Sequence, residues 1–201
     1  MSANKKYLLL HGRFDSWAET YDKSLITYWN RHIQRKVFKE ISDNSSILDL
    51  ACGTGHFLLM SSELENVTLC GVDGSKEMIK QAKAKLGDTF DLRHAFAENT
   101  TFEDDKFDYV VCTTAFHHFP DPVASIQEMK RISKNKGRII IADLNFLPLC
   151  IGNRVLQRIE EDFVSMYSKS DFKKFAKNIG LNVVKQRRVG LFGLMHVLEK
   201  P

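Results

Sequence analysis

The sequence predicts an α/β fold with one mostly parallel sheet, and three features of the chain predict it. Apolar runs of strand length alternate with stretches of helical periodicity along most of the chain. The run Ile47-Leu48-Asp49-Leu50-Ala51 opens into Cys52-Gly53-Thr54-Gly55 and then into a helical pattern. A second apolar run, Val67-Thr68-Leu69-Cys70-Gly71-Val72, ends in Asp73. Strand, glycine turn and helix in that order form a nucleotide-type ligand site. Glycine lets the backbone approach a ligand closely, and the helix N-terminus offers unpaired N–H groups. A carboxylate at the adjacent strand tip suits the two hydroxyls of a ribose.

The elements follow in order. Leu25, Trp29, Ile33, Val37 and Ile41 recur every four residues and predict an amphipathic helix ahead of the first strand. Ser75 is placed to cap a helix carrying Met78, Ile79, Ala82 and Leu86. Thr89–His94 reads as a third strand. Asp121-Pro122 is a helix start, with Asp as cap and Pro in the first turn, and Val123, Ile126, Met129 and Ile132 form the inner face. Ser170 precedes Phe172, Phe175, Ala176 and Ile179, and Gly180 supplies the stop. Asn182–Val189 and Phe192–Glu199 read as antiparallel strands closing one sheet edge.

The glycine turn discriminates between ligands. A dinucleotide turn has the pattern G-x-G-x-x-G, and here Leu58 stands where the third glycine belongs. Asp49 is also foreign to a purely apolar parallel strand. An acid at that place suits a ligand with a cationic amino group and repels a pyrophosphate. Both departures disfavour NAD.

Asp49-Leu50-Ala51-Cys52-Gly53-Thr54-Gly55 resembles motif I of class I S-adenosylmethionine-dependent methyltransferases, with Ala51 where the first glycine most often sits. The resemblance runs from about Arg13 to Asp143, fades beyond it, and is nearest to the small-molecule enzymes of ubiquinone and menaquinone biosynthesis (methyltransferase type 11). It implies a Rossmann-like α/β/α sandwich with a seven-stranded, mostly parallel sheet and an antiparallel C-terminal strand pair. Phe107–Cys112 is similar to the fourth strand, and Lys136-Gly137-Arg138 leading into Ile139–Ala142 to the turn and fifth strand. S-adenosylmethionine is the implied cofactor and S-adenosylhomocysteine the product. Asp49, Ala51, Cys52, Gly53 and Gly55 then surround the methionyl end, with Asp49 at its amino group. Asp73 and Gly74 bind the ribose, Met78 lies against the adenine, Ala97 and Glu98 stand near the adenine amino group, and Thr113 closes the row of strand tips. Phe116-His117-His118-Phe119 matches the segment beside the transferred methyl, which makes His117 and His118 the candidate bases.

Residues 1–42 are expected to form an N-terminal helical lid on a cofactor-binding domain over 43–201, the two making one structural domain. Phe14, Trp17, Ala18 and Tyr21 share a helical face, which serves core packing, and Tyr21 or Trp17 is also placed to cover the cofactor. The apolar run Asn145–Ile151 lies where relatives carry substrate-specific insertions. The acceptor is expected to be a small molecule and the protein a monomer or homodimer.

Composition narrows the remaining classes. A chain of 201 residues with 43% hydrophobic content supports one sizeable core. No apolar run approaches the roughly 20 residues that span a bilayer, and the start is too short in apolar residues for a signal peptide. A cytoplasmic protein is expected. Cys52, Cys70, Cys112 and Cys150 are widely spaced with no CxxC pair, so buried thiols are expected and no metal site. Lys169, Lys173, Lys174, Lys177, Lys185, Arg187 and Arg188 cluster late, with Asp171 as the nearby acid, but a net charge of +4 is modest. Thr113-Thr114-Ala115-Phe116 has no proline where amino-methylating DNA enzymes carry (N/D/S)-P-P-(Y/F), so a DNA acceptor is not expected.

Overall fold

A computed structural model describes residues 12–145, 149–159 and 163–201, apart from the side chains of residues 25, 26, 149 and 150. A helical turn, α1 (residues 12–17), leads through a 3-10 turn, Tyr21–Lys23, into α2 (Leu25–Phe38). Then come β1 (Ser46–Leu50), α3 (His56–Ser61), β2 (Thr68–Asp73), α4 (Lys76–Leu86), β3 (Asp91–His94) and β4 (Phe107–Thr113). A second 3-10 turn, Phe116–His118, precedes α5 (Pro122–Ile132), β5 (Ser133–Leu144), α6 (Leu149–Ile159), α7 (Lys169–Ile179), β6 (Asn182–Val189) and β7 (Gly193–Glu199).

The seven strands form one sheet in the order β3-β2-β1-β4-β5-β7-β6. The first five run parallel, and β7 pairs antiparallel with both β5 and β6. The order reverses between β1 and β4, so the crevice beyond their C-terminal ends is the natural ligand position of such a sheet.

Strand alternation builds two cores. Ile47, Val111 and Ile140 face α2, α3 and α4, meeting Ile33, Val37, Phe57, Leu58 and Ile79. Their neighbours Leu48, Val110 and Ile139 face α5 and α7, meeting Ile126, Met129 and Phe172. Central strands buried on both faces are what the unbroken apolar runs require. The anticipated α/β/α sandwich is therefore present, and no helix among the described residues is long and apolar enough to cross a membrane.

Several boundaries differ from the sequence expectation, each for a local reason. Ser168, and not Ser170, caps α7: its hydroxyl accepts from Asp171 N–H, and the Asp171 carboxylate accepts from Ser168 N–H. That reciprocal box adds two residues to the helix. α2 ends at Phe38, and Ile41 is buried from the following turn. α1 ends at residue 17, so Tyr21 sits in a separate 3-10 turn and not on one continuous helical face. Lys136-Gly137-Arg138 lies inside β5 and not before it, at a break in register where Phe107 pairs with Ser133 but Tyr109 pairs with Arg138. Lys136 has φ 62°, and a Cβ on Gly137 would stand 2.7 Å from the Lys134 carbonyl oxygen, which marks an irregularity inside the strand. Asp121 and Ser75 cap α5 and α4 as expected. The late basic cluster meets more than Asp171: Glu40, at the end of the α2 hairpin, pairs with Lys185 at 2.9 Å and Arg187 at 3.0 Å. Cys52, Cys70 and Cys112 are buried free thiols, whereas Phe146, Leu147 and Pro148 and the Cys150 side chain lie outside what is described.

Candidate cofactor and acceptor site

The C-terminal tips of β1, β2 and β4 surround a cleft of about 740 Å³, open to solvent at its mouth. Ala51 and Gly53 from the first tip line it, with Asp73, Gly74 and Met78 from the second. Ala97 and Glu98 come from the loop after β3, Thr113 from β4, and Tyr21 and His118 from the two 3-10 turns. A smaller polar cleft of about 380 Å³ adjoins it and shares Tyr21, Ala51, Gly53, Thr113 and Thr114. Cys52 lines only this second one, together with Asn30, Arg31 and Gln34 of α2.

The glycine turn is held open by its neighbours. Gly53 has φ +53°, and a Cβ there would meet nothing nearer than a Tyr21 ring carbon at 3.9 Å, so its exposed face is free for a ligand. Gly55 plays a different part. It lines neither cleft, has φ +79°, and a Cβ would lie 2.6 Å from Leu86, so it permits α3 to pack against α4.

Asp73 is the hinge between turn and cleft. One carboxylate oxygen accepts Gly53 N–H and the other accepts Ser75 N–H, both at 2.8 Å. Each oxygen keeps a second lone pair, enough for a vicinal diol. Burial outweighs those two bonds and pushes the Asp73 carboxyl above its usual range. The Ala97–Glu98 side of the cleft is fixed from α5: Glu128 accepts Thr100 N–H at 2.8 Å and pairs with Arg131 at 2.7 Å, and Ser125 donates to Glu98 at 3.3 Å.

Asp49 lines neither cleft. It lies in the strand beneath the turn, 1% exposed, and neither of its oxygens has a hydrogen-bond partner among the described residues. Burial, followed by repulsion from Asp73, holds its carboxyl well above the ordinary carboxylate range. By strand alternation it points to the side of Ile47, toward α2 and α3. On that side Arg31 Nε and Gln34 Oε1 are also buried without partners. Buried polar atoms are seldom left unpaired, and each such atom calls for a partner.

The N-terminal segment is laced over the turn. Asp22 accepts from Thr54 at 2.8 Å and pairs with Lys85 at 2.5 Å, while Asp15 accepts from the Ser75 hydroxyl. Tyr21 takes a hydrogen bond from Asn30 at 3.1 Å, and burial pushes its phenol up to about 12. Phe14 meets the His118 ring edge-on at 5.4 Å.

The two histidines separate. His118 is half-buried and lines the larger cleft, whereas His117 is 4% exposed, lines neither, and pairs with Asp143 at 2.7 Å. Arg31, Gln34, Asn30 and Asp143 carry no signal in the sequence, because a polar residue inside an amphipathic helix or at a strand end has no local pattern of its own. Among the described residues no group of three or more His, Cys, Asp or Glu side chains is arranged to hold a metal ion.

A family of proteins described as a methyltransferase domain matches residues 41–187. The demethylmenaquinone methyltransferase of Staphylococcus saprophyticus is 32% identical over 150 residues, which cover 70% of this chain and 64% of that protein. The chain thus spans less than two thirds of the length of that curated relative. A methyltransferase from Haloferax volcanii, solved in complex with the Trm112 methyltransferase activator, superposes with a TM-score of 0.83 at 20% identity, over 94% of this chain and 97% of that one. The 1,6-didemethyltoxoflavin-N1-methyltransferase of Burkholderia thailandensis, solved with 1,6-didemethyltoxoflavin and S-adenosylhomocysteine bound, superposes with a TM-score of 0.78 at 14% identity, over 100% of this chain and 91% of that one. At these identities the two superpositions speak to fold.

Proposed function

This chain belongs to the methyltransferase-domain family, and from that premise we propose that it transfers a methyl group from S-adenosylmethionine to a small-molecule acceptor by in-line displacement. The observation that carries the reading is a set of unsatisfied groups, two lining the smaller cleft and one, Asp49, buried beneath the glycine turn. Asp49 is a buried carboxylate lacking a donor, Arg31 Nε is a donor lacking an acceptor, and Gln34 Oε1 is a further free acceptor. An aminobutyrate tail, with its ammonium and carboxylate, supplies partners of both signs. A pyrophosphate would offer Asp49 no donor.

The residues divide the work accordingly. Asp73 takes the ribose hydroxyls, Met78 and Ala97 flank the base with Glu98 at its edge, and Gly53 admits the sulfur-bearing chain past the turn. Asp49, Arg31 and Gln34 hold the amino-acid end. When bound, the cofactor supplies an already activated methyl group on a sulfonium, so the protein's task is alignment and exclusion of water. Fixing two reactants in line can lower a barrier by roughly 7–11 kcal/mol. Phe14, Tyr21 and the segment before β1 serve as the lid over residues 43–201, and His118 serves as the base where the acceptor has a proton to lose. The demethylmenaquinone methyltransferases among the relatives favour a planar, hydroxylated ring as acceptor.

The test is transfer of radiolabelled methyl from S-adenosylmethionine to a panel of short-chain hydroquinones, with phenols and amines beside them. Label in a hydroquinone, reduced at least about tenfold by His118→Gln, is the expected result. Tight S-adenosylhomocysteine binding with no transfer to any acceptor would instead make the chain a non-catalytic cofactor sensor.

A further inference from the structure

The strand end at Asp143 does more than terminate β5. Its carboxylate is buried, 8% exposed, and receives three N–H groups. One oxygen accepts from His117 Nδ1 and from Leu144 N–H, both at 2.7 Å, and the other accepts His117 N–H at 2.7 Å. Ring and backbone of one residue are thus clamped by one side chain. The backbone carbonyl of His117 is engaged as well, accepting Val164 N–H at 2.9 Å and Ser165 N–H at 3.2 Å. The 3-10 turn Phe116–His118 is therefore tied at the same residue to β5 and to the irregular segment around Val164 and Ser165. The His117 ring lies 3.9 Å from the His118 ring, and His118 faces the cleft.

We propose that Asp143 is a positioning residue of this site: by clamping the ring and backbone of His117, it fixes the turn that presents His118 to the reaction cleft. The inference rests on the methyltransferase reading above for the meaning of that cleft. Three donors converging on two oxygens call for a carboxylate. An asparagine has one acceptor oxygen and would turn an NH₂ toward one of the three N–H groups. The pair also assigns the His117 tautomer: against an ionised Asp143, Nδ1 carries the proton. His117 is thereby committed to structure, and the adjacent His118 lines the larger cleft. A carboxylate that served only to cap β5 would need Leu144 N–H alone. Here it takes both donors of a residue 26 positions earlier in the chain.

The experiment is nitrogen-15 NMR of the histidine rings, assigned with His117→Gln and His118→Gln, on the wild type and Asp143→Asn, each titrated with S-adenosylhomocysteine. The wild type is expected to show a slowly exchanging Nδ1 proton on His117 and a His118 signal that moves on titration. In Asp143→Asn the His118 response is lost or strongly reduced, while the dissociation constant stays within about threefold of wild type. A His118 response identical to wild type in Asp143→Asn overturns the proposal, and so does a wild-type His117 protonated at Nε2. The tautomer needs no variant, so it decides the matter even if Asp143→Asn fails to fold. If S-adenosylhomocysteine does not bind the wild type, the methyltransferase reading fails on its own, and the tautomer alone still judges the clamp.

Discussion

The Asp73 side of the site and its α2 and His117 sides are built by different means. On the Asp73 side the lining groups sit at strand tips, shaped by the turns and caps of their own strand–helix units, with Gly53 N–H reaching Asp73 across 20 residues to join β1 and β2. Asp73 is fixed by Ser75 two residues on, Ser75 caps α4, and Gly53 and Gly55 turn the chain between β1 and α3. On the α2 and His117 sides the polar groups meet across long sequence distances. Gln34 donates to Thr113 at 3.3 Å across 79 residues, and His117 meets Asp143 across 26. The first is held by backbone geometry that only certain residue types can adopt, the others by side chains whose partners come from distant elements.

The contrast can be broken or sharpened by substitution. The largest effect belongs to Asp73→Ala, which removes the proposed ligand for the ribose and frees Gly53 N–H and Ser75 N–H at once. Hydrogen bonds to a charged group contribute roughly 1.5–3 kcal/mol. Affinity for S-adenosylhomocysteine should therefore fall by about one to two orders of magnitude in a calorimetric titration. A loss smaller than about threefold would remove Asp73 from the ribose role.

Arg31→Ala should act more narrowly. If its guanidinium holds the amino-acid tail, binding of S-adenosylhomocysteine weakens about tenfold, whereas methylthioadenosine, which lacks that tail, binds the variant and the wild type equally. Equal losses for both ligands would show that Arg31 supports the turn and does not contact the tail.

The smallest effect is on stability. Asp49 is buried with its carboxyl well above the usual range, from burial first and Asp73 second. At low pH it is protonated in the folded and the unfolded chain alike and costs nothing. As pH rises the unfolded chain ionises first, so folding stability falls until the folded carboxyl also ionises. Asp49→Asn should thus raise the ligand-free Tm by roughly 2–4 °C near neutral pH, with the gain vanishing at acid pH. The same variant should bind S-adenosylhomocysteine more weakly. A Tm gain that does not grow with pH would contradict the assignment.

The same division explains what could be read from the chain. The strand–turn–helix at Ile47–Phe57, the acid at Asp73 and the caps Ser75 and Asp121 are short-range constraints, and each stands where its residue types demand. Errors arose where tertiary contact set the boundary. β5 begins before Gly137 because Ser133 already pairs with Phe107 of β4, and α7 is capped at Ser168 because Asp171 completes a box with it. The second polar cleft was invisible for a related reason. Arg31 and Gln34 read as the solvated face of an amphipathic helix until the fold places that face over the glycine turn. His117 and His118 are adjacent in sequence and equal in chemistry, and the fold tells them apart by burying His117 against Asp143 and setting His118 at the cleft.

The most direct test of the central claim, that these strand tips and the polar cleft form one S-adenosylmethionine site, is calorimetric titration of the purified protein with S-adenosylhomocysteine, with NAD beside it. Saturable binding of S-adenosylhomocysteine, with no heat from NAD, is the predicted result. A folded protein that takes up NAD in its place, or neither ligand, would contradict the account.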